Sequence, residues 1–125
     1  MSKRGGAAAV LAMALITVSC SGTSQGEPNR KVVPGARVIK VDATSFSFRP
    51  QRITIHAGEN VAIALHSDDI FHDFVVDRMV GHVVGVDGDA TARGGLRIDR
   101  PGTYTFYCSV PGHRSAGMEG TIVVR

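Results

Sequence analysis

The chain has 125 residues, enough for one domain, with 14 Lys and Arg against 11 Asp and Glu. Two of the basic residues, Lys3 and Arg4, precede residue 20, whereas all of the acidic residues follow it. The remainder is therefore close to neutral, and its one short basic run is residues 29–31. This charge balance excludes a protein that binds nucleic acid or another polyanion through a basic surface.

Residues 1–20 have the architecture of an export signal. Lys3 and Arg4 precede an apolar run of about fourteen residues, shorter than the roughly 20 that a membrane-spanning helix needs. Small residues and Cys20 end the run, which resembles a bacterial lipoprotein signal, although Thr17 stands where such signals usually carry Leu. The alternative is an ordinary secretory signal cut nearby. We expect a protein of the periplasm or of the outer face of the cytoplasmic membrane, attached only through a possible lipid on Cys20.

The remaining chain predicts a tether followed by a β domain. Residues 21–36 are rich in Gly, Ser, Pro and charge and indicate a flexible tether, which leaves residues 37–125 for the domain. Apolar residues then alternate with period two in RVIKVDA, QRITIH, VAIALH, HDFVV, YTFYC and GTIVVR. Turn-forming residues separate these segments, as in AGEN, VDGD and RPGT. About seven to eight short strands without a helical stripe predict an all-β antiparallel sandwich or barrel.

The segment FYCSVPGHRSAGMEG contains three possible metal ligands. Cys108, His113 and Met118 are evenly spaced, and Pro111-Gly112 excludes a helix, so a loop between two strands could point all three at one centre. A thiolate, an imidazole and a weak thioether together suit copper. A trigonal copper site needs a second histidine, and His72 at the start of a predicted strand is the candidate. Zinc is the alternative ion, but it rarely uses a thioether.

The domain resembles a cupredoxin, one of the small blue copper proteins that include plastocyanin, azurin, rusticyanin and sulfocyanin. The resemblance spans residues 37–125 and rests on FSFRPQRITIHAGENVAIAL, HDFVV and GTYTFYCSVPGHRSAGMEGTIVV. The spacing of the ligand loop is closest to that of rusticyanin and sulfocyanin. The resemblance implies a Greek-key fold and one type 1 copper ion, with His72, Cys108 and His113 as trigonal ligands and Met118 as the axial ligand.

The same resemblance implies single-electron transfer by a monomer. Multicopper oxidases and nitrite reductases connect their type 1 copper to a catalytic copper through histidines beside the cysteine, whereas Cys108 has Tyr107 and Ser109 as neighbours. We therefore expect no catalysis by this chain. Copper storage or delivery is the alternative function, but such proteins tend to use Met-rich sites, and after the signal this chain has only Met79 and Met118.

The resemblance also implies that redox partners dock transiently on an apolar patch around His113. The expected members of this patch are Ile70, Phe71, Val110, Pro111, Ala116 and Gly117. Asp73 stands where many family members have Asn; its carboxylate could accept a hydrogen bond from Ser109 and would favour the oxidised ion. Asp68 and Asp69 are expected to act in the same direction but to be solvated and screened.

The other titratable and thiol groups have simpler expected roles. His56, His66 and His82 are expected at the surface or as core filler. If Cys20 carries lipid, Cys108 is left unpaired in an oxidising compartment, where a bound metal would protect it. The alternative is a disulfide between Cys20 and Cys108, which is difficult to reconcile with a flexible tail and a strand end.

Overall fold

A computed structural model describes residues 27–78 and 80–125, and within these ranges the chain forms strands and turns without a helix. Among these residues, no segment is a helix long and apolar enough to cross a membrane. The strands are β1 (Arg37–Thr44), β2 (Ser47–Arg49), β3 (Arg52–Ile55), β4 (Val61–Ser67), β5 (His72–Val76), β6 (Gly81–Val86), β7 (Ala90–Leu96), β8 (Gly102–Tyr107) and β9 (Glu119–Val124).

The strands form two sheets, in the orders β2-β1-β4-β7 and β3-β9-β8-β5-β6. The predicted all-β sandwich is confirmed, but its sheets are mixed, since β1 pairs with β4 and β3 pairs with β9 in parallel. The chain leaves the first sheet after β2, contributes β3 to the second sheet, and returns as β4. Such a crossover is what parallel pairing of β1 and β4 requires, whereas a hairpin would have made the pair antiparallel.

The core lies between the sheets, where the period-two pattern directs its apolar residues. Ile53 and Ile55 are buried from β3, as their alternation predicts. At the centre are Phe48, Phe74 and Phe106, all with zero exposure. The ring centroids of Phe74 and Phe106 are 4.4 Å apart, and those of Phe48 and Phe106 are 5.2 Å apart. Phe74 belongs to β5, which begins at His72, and Phe106 belongs to β8, which ends just before Cys108.

The strand β7 has a weak sequence signal because it contains Gly94 and Gly95, which are unfavourable within strands. Both glycines allow close backbone approach. A Cβ at Gly94 would lie 2.1 Å from the carbonyl oxygen of Val83, and one at Gly95 would lie 2.2 Å from that of Lys31. The glycines therefore permit β6 and the segment that precedes β1 to pack directly on β7.

That preceding segment is attached to the sandwich. The Arg30 N–H donates to the Val83 carbonyl, and the Gly95 N–H donates to the Arg30 carbonyl, each at 2.9 Å. The side-chain oxygen of Asn29 accepts a hydrogen bond of 2.8 Å from the Gly85 N–H. Arg30 thus bridges β6 and β7, the edge strands of the two sheets. Within the tether predicted over residues 21–36, residues 29–31 are therefore docked on these edges, which offer unpaired backbone groups. The predicted signal, including Cys20, lies outside the described residues.

Candidate metal centre

The four predicted ligands lie at one end of the sandwich. His72 is the first residue of β5, Cys108 follows the last residue of β8, and Met118 precedes the first residue of β9. Because β8 is antiparallel to both β5 and β9, the end of β8 and the beginnings of β5 and β9 meet at the same edge. His113 lies in the loop that joins β8 to β9.

Three ligand atoms converge on one point. The Sγ atom of Cys108 lies 3.8 Å from Nδ1 of His72 and 3.5 Å from Nδ1 of His113. All three atoms lie within 4.8 Å of one another. An ion with bonds of roughly 2.0 Å to nitrogen and 2.3 Å to sulfur in a trigonal plane separates its ligands by about 3.5–3.7 Å. The cluster therefore has the spacing and the donor set for one metal ion.

Backbone hydrogen bonds fix the shape of the ligand loop. The Cys108 N–H donates to the Met118 carbonyl, and the Met118 N–H donates to the His113 carbonyl, both at 3.1 Å. Gly112 and Gly117 have φ values of +85° and +102°, a region that L side chains rarely adopt. The turn predicted at Pro111-Gly112 and the conformation at Gly117 therefore depend on glycine. These bonds hold Met118 beside the other two loop ligands, and its side chain is fully buried in the core that contains Cys108.

Burial controls the protonation of the cluster. His72 and Cys108 have zero exposure, and His113 is also buried. Burial raises the pKa of the Cys108 thiol to about 11. Burial, followed by the proximity of His72, lowers the pKa of His113. At neutral pH the copper-free cluster therefore contains a protonated thiol and a neutral His113, and binding of a metal to the sulfur would release one proton.

Asp73 connects the two ligand-bearing segments. Its Oδ1 accepts a hydrogen bond of 2.6 Å from the Ser109 N–H, and its Oδ2 accepts one from the Ser109 hydroxyl. The predicted bond between Asp73 and Ser109 is thus confirmed, and Asp73 is buried. The carboxylate follows His72 directly in sequence, while its partner follows Cys108. The pair therefore links the two ligand backbones across β5 and β8.

Asp69 makes a contact that the sequence analysis missed. Its Oδ1 lies 2.7 Å from Nε2 of His72, the ring nitrogen that faces away from Cys108. Backbone N–H groups of Ser45 and Ile70, together with His72, hold the pKa of Asp69 well below its usual range, so the group is ionised. The expectation that Asp69 is merely solvated is wrong, since its side chain is 35% exposed and bonded to a ligand. Its place in the short connection between β4 and β5, three residues before His72, is the feature of the sequence that could have predicted this contact.

The remaining histidines lie outside the cluster. Among the described residues, His72, Cys108 and His113 form the one group with metal-ligand spacing. His56 is exposed, while His66 lies 3.0 Å from the exposed Asp68. His82 is partly buried, as expected of a filler residue. Cys108 is a free thiol in the described chain.

The surface around His113 contains both expected and unexpected apolar groups. Ile70 is 49% exposed, and the expected patch members Pro111, Ala116 and Gly117 are also exposed. Phe71 and Val110 are partly buried. Phe46, which the sequence analysis did not include, is 47% exposed and packs edge-on against the His113 ring with centroids 5.0 Å apart. Its place in the loop between β1 and β2, far from His113 in sequence, explains why it was missed.

Comparisons with known proteins agree with this geometry. The family described as copper binding proteins, plastocyanin/azurin family, matches residues 36–125. Plastocyanin from Dryopteris crassirhizoma is 33% identical over 95 residues, which cover 65% of this chain and 90% of that protein. The copper-resistant cuproprotein CopI from Rubrivivax gelatinosus is 28% identical over 123 residues, covering 82% of this chain and 74% of CopI. The structure of auracyanin B is similar in fold, with a TM-score of 0.68 and 19% identity over 80% of this chain and 96% of that one.

Proposed function

Because this chain belongs to the plastocyanin/azurin family of copper-binding proteins, we propose that it carries single electrons between redox partners outside the cytoplasm. A bound copper ion supplies the one-electron chemistry by alternating between two oxidation states. The proposal depends on one observation above all, the convergence of the Cys108 sulfur and the Nδ1 atoms of His72 and His113 at 3.5–3.8 Å.

His72, Cys108 and His113, the three converging residues, would be the strong ligands of the ion, and Met118 would be a weak one. Soft sulfur suits the reduced ion, while imidazole suits both oxidation states, so this donor set serves a redox site. The burial of all four residues excludes water from the ligands. These residues would hold a copper ion in nearly the same surroundings in both oxidation states, which rapid electron transfer requires.

The surrounding backbone supplies the rigidity. Two ligands flank strand ends, and the hydrogen bonds from Cys108 to Met118 and from Met118 to His113 close the loop on itself. The Asp73–Ser109 pair fastens the loop to β5. Ligand positions are thus set by the fold, so that little movement is needed when the charge of the ion changes.

A visible absorption spectrum tests this assignment directly. Addition of Cu²⁺ to the purified chain should produce an intense blue or green band from the copper–thiolate bond, and Cys108→Ser should abolish it. His66→Gln is the matched control, because His66 lies outside the cluster, and this variant should retain the band. A colourless copper complex of the unmodified chain would overturn the proposal.

Docking of redox partners is proposed at the apolar surface that surrounds the His113 edge. Phe46 and Ile70 are about half exposed there, and transient redox contacts are small. Phe46→Ala should slow electron exchange with a partner, or self-exchange, while the visible spectrum is unchanged. Val38→Ala is the control, since Val38 is exposed near the start of β1. Equal exchange rates in both variants would exclude Phe46 from the docking surface.

Copper delivery is a second candidate, favoured by the similarity to the copper-resistant protein CopI. The full burial of His72, Cys108 and Met118 opposes it, because delivery requires ligands that a receiving protein can reach. The two functions differ in copper release. A delivery protein should lose copper within minutes to a competing chelator, whereas an electron carrier should retain copper through repeated reduction and oxidation.

Export and anchoring remain part of the proposal on the basis of residues 1–20. We propose a location in the periplasm or on the outer face of the cytoplasmic membrane, with lipid on Cys20. Cell fractionation after Cys20→Ser is the test. The variant should lose membrane association if Cys20 carries the anchor, and an unchanged distribution would favour an ordinary secretory signal.

A further inference from the structure

We propose that Asp69 is a positioning residue that orients His72 toward the copper site and favours the oxidised ion. This inference rests on the proposed copper site and concerns a carboxylate that the assigned ligand set does not include. The hydrogen bond of 2.7 Å between Asp69 Oδ1 and His72 Nε2 is the observation from which it starts.

The bond determines which ring nitrogen of His72 carries the proton. An ionised carboxylate can only accept, so Nε2 must be the donor. Nδ1, which lies 3.8 Å from the Cys108 sulfur, is then left with a free lone pair directed into the cluster. A carboxylate that accepts from the far nitrogen of a ligand histidine fixes the tautomer and the ring orientation, and it increases the basicity of the ligand.

Asp69 is itself held firmly. Its Oδ2 accepts a hydrogen bond of 2.9 Å from the Ser45 N–H, and its Oδ1 accepts one of 2.8 Å from the Ile70 N–H. Gly88 packs against the Asp69 backbone so closely that a Cβ there would lie 2.3 Å from the Asp69 carbonyl oxygen. Two backbone N–H groups therefore hold the carboxylate beside His72, as a positioning residue requires.

The hydrogen bond between Asp69 and Ser45 also links Asp69 to the surroundings of His113. Ser45 precedes Phe46, whose ring packs edge-on against His113 at 5.0 Å. Asp69 thus binds His72 directly and, through the same carboxylate, holds the loop that packs on His113. One side chain thus connects the approach to β5 with the loop between β1 and β2.

The charge of Asp69 also acts on the redox equilibrium. A negative charge bonded to a ligand stabilises the more positive ion, and the partial burial of the group limits solvent screening. Asp68 carries the same charge one residue away but contacts the exposed His66 instead. A comparison of Asp69 with Asp68 therefore distinguishes the effect of bonding to His72 from the effect of a nearby negative charge.

The test compares Asp69→Asn with Asp68→Asn in the copper-loaded chain. Each variant removes one negative charge with nearly the same shape. Asp69→Asn should shift the equilibrium constant for one-electron reduction by about tenfold toward the reduced ion, which is about 59 mV in potential. Asp68→Asn should shift it by less than about threefold, because its charge is solvated.

A second measurement needs no variant. In the diamagnetic Cu⁺ form of the unmodified chain, NMR should show a slowly exchanging proton on Nε2 of His72, protected by Asp69. In Asp69→Asn, this proton should exchange faster, an effect that a purely structural role elsewhere would not produce.

Two outcomes would overturn the inference. One is an unprotected His72 Nε2 proton in the unmodified chain, and the other is equal potentials in the two variants. Neither would contradict the proposed function, which requires only that the unmodified chain be coloured and redox active. Conversely, loss of the copper–thiolate band from the unmodified chain would contradict the proposed function itself.

Discussion

Copper binding should become stronger as pH rises, because Cys108 must lose its proton to bind the ion. Burial raises the pKa of the thiol to about 11 in the copper-free protein. A pH of 7 is thus about four units below this pKa, and deprotonation of the thiol costs about 5 kcal/mol at that pH. The pKa of His113 is lowered, so this ligand is neutral and requires no deprotonation. The apparent affinity should therefore increase about tenfold per pH unit above pH 7 and level off near pH 11.

Competition with a Cu⁺ chelator of known affinity at each pH between 7 and 9 measures this dependence. The logarithm of the affinity plotted against pH should have a slope of about +1 in the unmodified chain, for release of one proton. In Cys108→Ser the slope should fall, because the thiol proton is no longer released on binding. A flat dependence in the unmodified chain would refute the reasoning, since it would mean that the thiol is already ionised without copper.

Three further substitutions concern stability and are best measured by denaturation of the copper-free protein. The Arg37 guanidinium lowers the pKa of Glu59 to about 2, so the pair stabilises the fold above about pH 4.5 and less as the pH falls toward 2. Glu59→Gln should remove that pH dependence and lower the free energy of unfolding at pH 7 by about 1 kcal/mol, because the pair is partly exposed. An unchanged dependence of the unfolding free energy on pH would contradict this prediction. Phe106→Ala should lower the free energy of unfolding by about 3–5 kcal/mol, and a loss below about 1 kcal/mol would contradict its central position. Gly95→Val should displace Lys31 and lower the melting temperature, whereas an unchanged temperature would mean that the segment before β1 does not pack on β7.

The parts of this fold that the sequence predicts are those specified by local patterns. Alternation placed Ile53 and Ile55 in the core, and Pro111-Gly112 predicted the turn within the ligand loop. The ligand set was predictable because three of its members share one loop, and their chemistry is unusual for packing alone. His72 was identified from its place at the start of an apolar strand, which the structure confirms as β5.

The parts that sequence did not predict depend on contacts between segments distant in the chain. Phe46 reaches His113 across 67 positions of sequence. The parallel pairing of β1 with β4 depends on where β3 crosses to the other sheet, which no local pattern encodes. Arg30 docks because two edge strands present unpaired groups, although its own segment has the composition of a tether.

The two carboxylates next to the ligands act through different bonds. Asp73 accepts from the backbone and hydroxyl of Ser109, beside Cys108, whereas Asp69 accepts from the imidazole of His72. Asp69 therefore places its charge against a proposed ligand, whereas Asp73 places its charge against the neighbour of Cys108. Asp73 is buried, and Asp69 is 35% exposed. An amide could not make the same hydrogen bonds, because both oxygens of each carboxylate accept from N–H or O–H groups and an amide nitrogen cannot accept. We therefore propose that the two carboxylates act on both the shape and the potential of the site, and that their charge favours the oxidised ion.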